Sequence, residues 1–159
     1  MSRPGNKLRK CRFTDSELRD TRFIATDLAE TAWQDTTLSN CALSGVQAFG
    51  MLARRVTFRD CKLDSVNFRE CNFREVKFER CLLRDVEFGS GRLRSASFGE
   101  CTMSGVDFTK VTLTDVDLRG AELGISAGYD SMRGATISTV QLISLAPLLA
   151  GHLGITVED

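Results

Sequence analysis

The sequence has very little of what catalysis, metal binding or membrane insertion requires. It holds one histidine in 159 residues. That residue, His152, falls near the end of a predicted helix, where a cation is favourable, and a structural role is expected of it. No nucleophile motif and no Gly-rich phosphate loop accompany it. No catalytic constellation can be assembled, so no enzyme activity and no cofactor are expected. The six cysteines stand at least ten residues apart. Zinc pairs stand roughly two to four apart, so no metal site is expected either. No apolar run reaches the length of a membrane span. Met1–Lys10 is polar and basic, without the look of a secretory leader, so a cytoplasmic location and no membrane contact are expected. Net charge is absent as well: 21 Lys and Arg oppose 21 Asp and Glu.

What the sequence does have is a period of five. The stretch CNFREVKFERCLLRDVEF puts Phe73, Phe78, Leu83 and Phe88 five apart, with charges between them. An α-helix turns 100° per residue, so apolar groups at this spacing drift by about 140° and bury nothing together. A straight strand sends residues five apart to opposite faces. All can point inward only if each unit of five contains a corner. The phase holds from Leu8 through Phe13, Leu18, Phe23, Leu28, Trp33, Leu38 and Leu43, and again from Phe58 to Leu123. A fixed period of this length outranks any local reading. A second column lies two residues before each large one and is mostly small: Thr21, Thr26, Thr31, Cys41, Val56, Cys61, Val66, Cys71. All six cysteines fall in it and read as small buried hydrophobes.

Like residues recur at twenty: Phe58, Phe78, Phe98; Phe68, Phe88, Phe108; Cys41, Cys61, Cys81, Cys101. Four units therefore close one turn. At the spacing of paired strands, about 4.8 Å, six coils make a rod roughly 29 Å long. The fold class is all-β, a square solenoid over residues 1–137, closed by a short helical cap over 138–159. Two interruptions are expected. Gly45–Arg55 puts alanine at two core places and predicts a bulge or an inward swap to Phe49. Gly124–Ser131 shifts the phase by four and predicts a small loop before the final coil, with Tyr129 as a packing lid.

Both ends of a solenoid expose strand edges and need covers. Met1–Lys7, with Pro4 and Gly5, offers a loose one. At the other end Ser138 and Gln141 fit a capping box. Val140, Leu142, Ile143, Leu145, Leu148, Leu149 and Leu153 follow, Pro147 predicts a kink or a division, and Gly151 and Gly154 a stop. This segment is apolar nearly all round. One face can cover the last coil, and the other predicts a two-fold homodimer through Leu142, Leu145, Leu148, Leu149, Leu153 and Ile155.

Units such as Val116-Asp117-Leu118-Arg119-Gly120 and Ala121-Glu122-Leu123 resemble pentapeptide repeats, of pattern A-(D/N)-L-x-x. The resemblance covers about residues 8–137 and implies a right-handed quadrilateral β-helix. The ending, through Met132-Arg133-Gly134-Ala135-Thr136-Ile137, an apolar helix and Gly154-Ile155-Thr156-Val157, resembles the dimerisation segment of the mycobacterial and Qnr-type fluoroquinolone-resistance branch. That branch binds DNA gyrase and imitates duplex DNA in shape and charge. The resemblance therefore implies a non-enzymatic partner of DNA gyrase or another type II topoisomerase, with a rigid dimeric scaffold as the alternative.

Charge tests the implication. Up to Arg84, 16 Lys and Arg face 11 Asp and Glu, a balance of +5; from Asp85 onward 5 face 10, a balance of −5. Duplex DNA would carry roughly eight charges over half such a rod. The candidate partner-binding carboxylates are Glu87, Glu100, Asp107, Asp115, Asp117 and Glu122. Arg54, Arg74 and Arg94 predict a basic column on one wall, with Arg55 and Arg59 close by. Glu70, Glu75 and Glu79 interleave in sequence, so that wall reads as mutually neutralised, and no direct nucleic-acid binding is expected.

Overall fold

In a computed structural model, which describes residues 7–159, the chain is a parallel β-solenoid with one C-terminal helix. The register repeats every twenty residues. Phe13 pairs with Trp33, Trp33 with Ala53, Ala53 with Phe73, Phe73 with Leu93 and Leu93 with Leu113. Four walls make each turn. The first is held by single bridges running Lys7, Asp27, Gln47, Asn67, Glu87, Asp107. The second and third are crossed by eight-residue strands such as Ala32–Ser39, Leu52–Arg59, Asn72–Glu79 and Arg92–Gly99. The fourth stacks Arg22–Ile24, Ala42–Ser44, Lys62–Asp64, Leu82–Arg84 and Thr102–Ser104. No helix among the described residues is long and apolar enough to cross a membrane.

The corner that the period demands is a left-handed residue. Every fifth residue from Lys10 to Gly120 has φ between 49° and 83°. Only Gly45, Gly50, Gly105 and Gly120 among them are glycine; the others include Glu30, Arg55, Asp60 and Arg80. On the first wall the corner closes as a four-residue turn, with Cys71 N–H donating to Phe68 O and Gly91 N–H to Phe88 O. Positive φ at the third turn residue is the type II signature. An L-residue held there costs about 1–2 kcal/mol. That cost recurs each unit and is offset by the side chain the corner delivers to the axis.

The core is built of columns. Phe58, Phe78 and Phe98 stack with ring centroids 4.8 Å apart, and Phe68, Phe88 and Phe108 with centroids 5.5 and 5.3 Å apart. The columns meet edge to face, Phe78 against Phe88 at 87°. In the small column Cys41, Cys61, Cys81 and Cys101 donate their Sγ–H to the carbonyls of Leu18, Leu38, Phe58 and Phe78, at 3.2–3.5 Å. All six thiols are free, and only Cys11 is partly exposed. Burial pushes the Cys71 thiol up to about 12 from an ordinary 9.0. Ellman's reagent is therefore expected to titrate Cys11 first and the other five only on unfolding. Folded Cys71 keeps its proton where the unfolded chain releases it. Its contribution to stability is thus full below pH 9 and is lost as pH rises toward 12, by at most about 1.4 kcal/mol per pH unit. Urea midpoints for the protein and for Cys71→Ala should converge in that window. Midpoints that fall in parallel above pH 9 would refute the assignment.

Three expectations are corrected. There is no bulge and no inward swap at Gly45–Arg55. Gln47 bridges Asn67 in register, Ala48 and Ala53 stay inside, and Phe49 points outward, half exposed. Two alanines in one coil leave room, and buried Met51 between them, at a place normally held by a small residue, supplies the volume. Gly124–Ser131 is not a small loop placed before the final coil. Ile125 is buried and Ile125–Ala127 pairs with Val106–Asp107, so the segment is part of the last coil. That coil is one residue short: Val116 pairs with Ala135, nineteen on. The shortening presses the last coil onto its neighbour, and a Cβ on Gly134, at φ 95°, would overlap the Leu113 carbonyl. Tyr129 does pack on the core and donates to Ile125 O at 2.5 Å. Finally, Pro147 does not divide helix α1, which runs unbroken over Thr139–His152. The carbonyl it deprives of a partner belongs to Ile143, on the solvent side, where water can serve. The loose N-terminal cover expected of Met1–Lys7 lies almost wholly outside the described residues.

Candidate partner-binding surfaces

The interior is filled, so binding falls to the walls and the ends. Among the described residues no three His, Cys, Asp or Glu side chains are placed to hold a metal ion. The depressions on the surface are shallow grooves between ridges of side chains on the walls.

The six candidate carboxylates do not form one patch. Glu87 and Asp107 are neighbours on the first wall, joined by a backbone bridge. Asp115 stands at the corner between the second and third walls, where it accepts from Ser95 Oγ at 3.4 Å. Asp117 lies on the third wall and is engaged twice by Arg119, at 3.0 Å to each carboxylate oxygen. That guanidinium holds the Asp117 carboxyl below its ordinary value. Glu100 occupies the next corner, and Glu122 the fourth wall, bridged to Thr102. Asp107 is also occupied locally, accepting from the Thr109 N–H at 2.8 Å. The candidate carboxylates thus fall on the first, third and fourth walls and two corners, and Glu87 and Asp107 are the one pair of them bridged directly across coils.

The basic column reads differently from its sequence. Arg54, Arg74 and Arg94 do stack on the second wall. Arg55 and Arg59 are elsewhere: Arg55 sits at a corner clamped to Asp35, and Arg59 pairs with Glu79 on the third wall at 2.9 Å. The Arg55 guanidinium lowers the Asp35 carboxyl. Glu79 is therefore spent on another wall and does not neutralise the column.

At the C-terminal end the capping box forms: Gln141 N–H donates to Ser138 Oγ at 3.2 Å, and Ser138 N–H to Gln141 Oε1 at 2.8 Å. The helix ends in a Schellman motif, with Gly154 left-handed and Ile155 N–H donating to Ala150 O at 2.8 Å. Gln141 also does something its sequence position did not announce. Its buried Nε2 donates to Leu118 O at 2.6 Å and Ala121 O at 2.7 Å. With Leu145 and Leu149 it seats α1 on the last coil. Leu145 is buried and Leu149 half-buried, so these two cover this chain's own solenoid and are not free for a partner. Leu142, Leu148, Leu153 and Ile155 are exposed, together with Val140, Ile143 and Val157. The exposed His152 ring lies 6.3 Å from that of Tyr129.

Residues 51–127 match the family profile of the pentapeptide repeat region. This stretch is a pentapeptide repeat region. No curated protein sequence matches the chain. Among solved structures, a trypsin-treated variant of QnrB1, a plasmid-mediated fluoroquinolone resistance protein, is 17% identical, with a TM-score of 0.39, covering 100% of this chain and 99% of its own. HetL of the cyanobacterium Nostoc, a pentapeptide repeat protein involved in heterocyst differentiation regulation, is 15% identical, with a TM-score of 0.30 and coverage of 84% and 90%. A pentapeptide repeat protein of the Arabidopsis thaliana thylakoid lumen is 16% identical, with a TM-score of 0.36 and coverage of 83% and 75%. Likenesses at these levels transfer no partner to the pentapeptide rod.

Proposed function

We propose that this pentapeptide rod is a non-enzymatic binding protein that engages a type II topoisomerase, DNA gyrase, through its acidic C-terminal half as a partial stand-in for DNA. Two copies would join through the exposed face of α1. The observation that carries the reading is the placement of charge next to an uncovered apolar end. The half with a balance of −5 abuts the exposed Leu142, Ile143, Leu148 and Leu153. Joining two such ends fuses two acidic halves into one longer negative stretch. Protection from a fluoroquinolone or a toxin would follow from competition at the DNA site. A second reading, a rigid dimeric scaffold unrelated to gyrase, is favoured by one fact: Asp117 is neutralised by Arg119.

A gyrase supercoiling assay, with and without a fluoroquinolone, separates the two. The topoisomerase reading expects inhibition or relief of drug-stabilised cleavage, lost when Glu87→Lys and Asp107→Lys are combined. Loss with Asp117→Lys should be weaker, because that carboxylate already has a partner. An unaltered enzyme at all protein concentrations would refute the reading and leave the scaffold. Ile143→Asp addresses the dimer separately: light scattering should give twice the chain mass for the parent protein and the chain mass for the variant. A parent protein of monomer mass would refute the dimer alone.

A further inference from the structure

The second wall is the one side of the rod whose outward rows carry charge of a single sign. Arg12, Arg54, Arg74, Arg92 and Arg94 stand on it, all exposed, without a carboxylate in either row. The other walls mix signs, as with Arg69 and Glu87 on the first, Arg59 and Glu79 on the third, and Lys62 and Asp64 on the fourth. None of the five makes an ion pair among the described residues. Carboxylates stand only at the bounding corners: Glu30 and Glu70 on one edge, and Asp15, Asp35, Glu75 and Asp115 on the other, with Glu30 paired to Arg9 and Asp35 tied to Arg55. Arg54 is directly opposite Arg74, and Arg74 opposite Arg94. Strands in register stand about 4.8 Å apart. Like charges so placed destabilise a sheet, and an anion laid over them removes the repulsion.

The floor between the arginines narrows the choice of anion. A shallow groove runs there, lined by Ala32, Leu52 and Ala53 with the edge of Trp33, and flanked by the amides of Gln34 and Asn72. Leu52 is 51% exposed. Duplex nucleic acid offers phosphates to the arginines and nothing apolar to Leu52. Single strands stack their bases on aromatics, whereas Trp33 and Phe73 on this wall are buried and Phe13, half-buried, is already stacked on Trp33 with centroids 3.9 Å apart. A peptide that alternates carboxylates with an aliphatic side chain meets both demands. Its carboxylates take the planar guanidinium fork, and its aliphatic group covers Leu52 and Ala32.

We propose that the second wall is a docking surface for an acidic protein segment carrying an aliphatic side chain. Its groove, lined by residues between Arg12 and Arg74, lies outside the acidic half, and the proposal does not rest on the topoisomerase reading. The probe is a short fluorescein-labelled peptide of glutamates and leucines, followed by anisotropy against the full chain. Saturable binding is expected that weakens as salt shortens the reach of the charges, to about 10 Å at 0.1 M. Combining Arg54→Glu and Arg74→Glu should weaken it at least tenfold, and Leu52→Ser several-fold. Arg84→Glu, on the fourth wall, should leave it unchanged. Arg54, Arg74 and Leu52 are exposed and the two arginines make no ion pair among the described residues, and Arg84 has only a loose 3.8 Å pair with Asp85, so circular dichroism and melting should match the parent. Absence of saturable binding, equal binding by the double variant, or a labelled DNA duplex that binds the same wall more tightly than the peptide would each overturn the proposal.

Discussion

Replacing Phe78 with alanine is expected to cost about 3–5 kcal/mol, a large part of the 5–15 kcal/mol that typically holds a domain together. Phe78 has no exposed surface. Its ring lies between those of Phe58 and Phe98, 4.8 Å from each, and meets Phe88 edge to face. The cavity would open in the middle of a column, where the coils above and below are fixed by their own ladders and cannot collapse into it. A repeat array transmits such a loss to nearest neighbours first. Urea unfolding should therefore show a lower midpoint and a broader transition, as the two halves of the rod begin to part company. Phe78→Leu keeps most of the volume and should cost less than half as much. Leu52→Ala, on the outside, should change the midpoint little. A Phe78→Ala variant that unfolds within about 1 kcal/mol of the parent would mean the core relaxes far more than a close-packed column can.

The fold was legible because one period controls everything. Large residues five apart, small ones two before them and like residues at twenty specify corner, axis and turn together. What did not show was how each corner is made. Glycine or asparagine would have advertised a left-handed residue, but Glu30, Arg55 and Arg80 do not. Their conformation is imposed by the ladders on either side, which overrides local preference. The same override explains the third coil. Ala48 and Ala53 weaken the pattern, but strands locked above and below hold the register while Met51 fills the space. The last coil misled for the opposite reason. A phase shift of four reads as an insertion, whereas in a unit of five it is a deletion of one, absorbed where Gly134 allows close approach.

The surfaces were legible only in part, because neighbours in sequence are not neighbours on a wall. Glu75 follows Arg74 in the chain but turns the corner, and Glu79 belongs to Arg59. Counting signs along the chain therefore neutralised a wall that carries five arginines and no acid. Counting them by residue number modulo twenty would have found it. Apolar character along α1 likewise marked an interface without saying which residues face inward. The spacing of Gln141, Leu145 and Leu149, each four apart, held that answer.

Gln141→Leu is the second change expected to have a large effect, about 2–4 kcal/mol confined to the C-terminal end. One side chain makes three hydrogen bonds there. Its Oε1 closes the capping box, while its Nε2 serves Leu118 O and Ala121 O. Leucine keeps the volume but strands the Ala121 carbonyl beneath a helix that excludes water, at about 1–3 kcal/mol, leaves Leu118 O with only the Ala121 N–H of its own turn at 3.2 Å, and removes half of the capping box. The cheaper route is for α1 to lift off, so the loss should appear as local opening and not as global unfolding. Hydrogen exchange should show α1 amides losing protection while the strands of the second and third walls keep theirs. Dye binding should rise as the last coil is bared. Two further variants separate clamp from cap. Ser138→Ala removes the cap alone and should cost about 1 kcal/mol. Gln141→Glu keeps the Oε1 acceptor but turns a carboxylate toward two carbonyls, and should open the helix as fully as leucine does. If Gln141→Glu behaves like Ser138→Ala, the pair of bonds to the last coil does not hold α1 down, and Leu145 and Leu149 alone must do so.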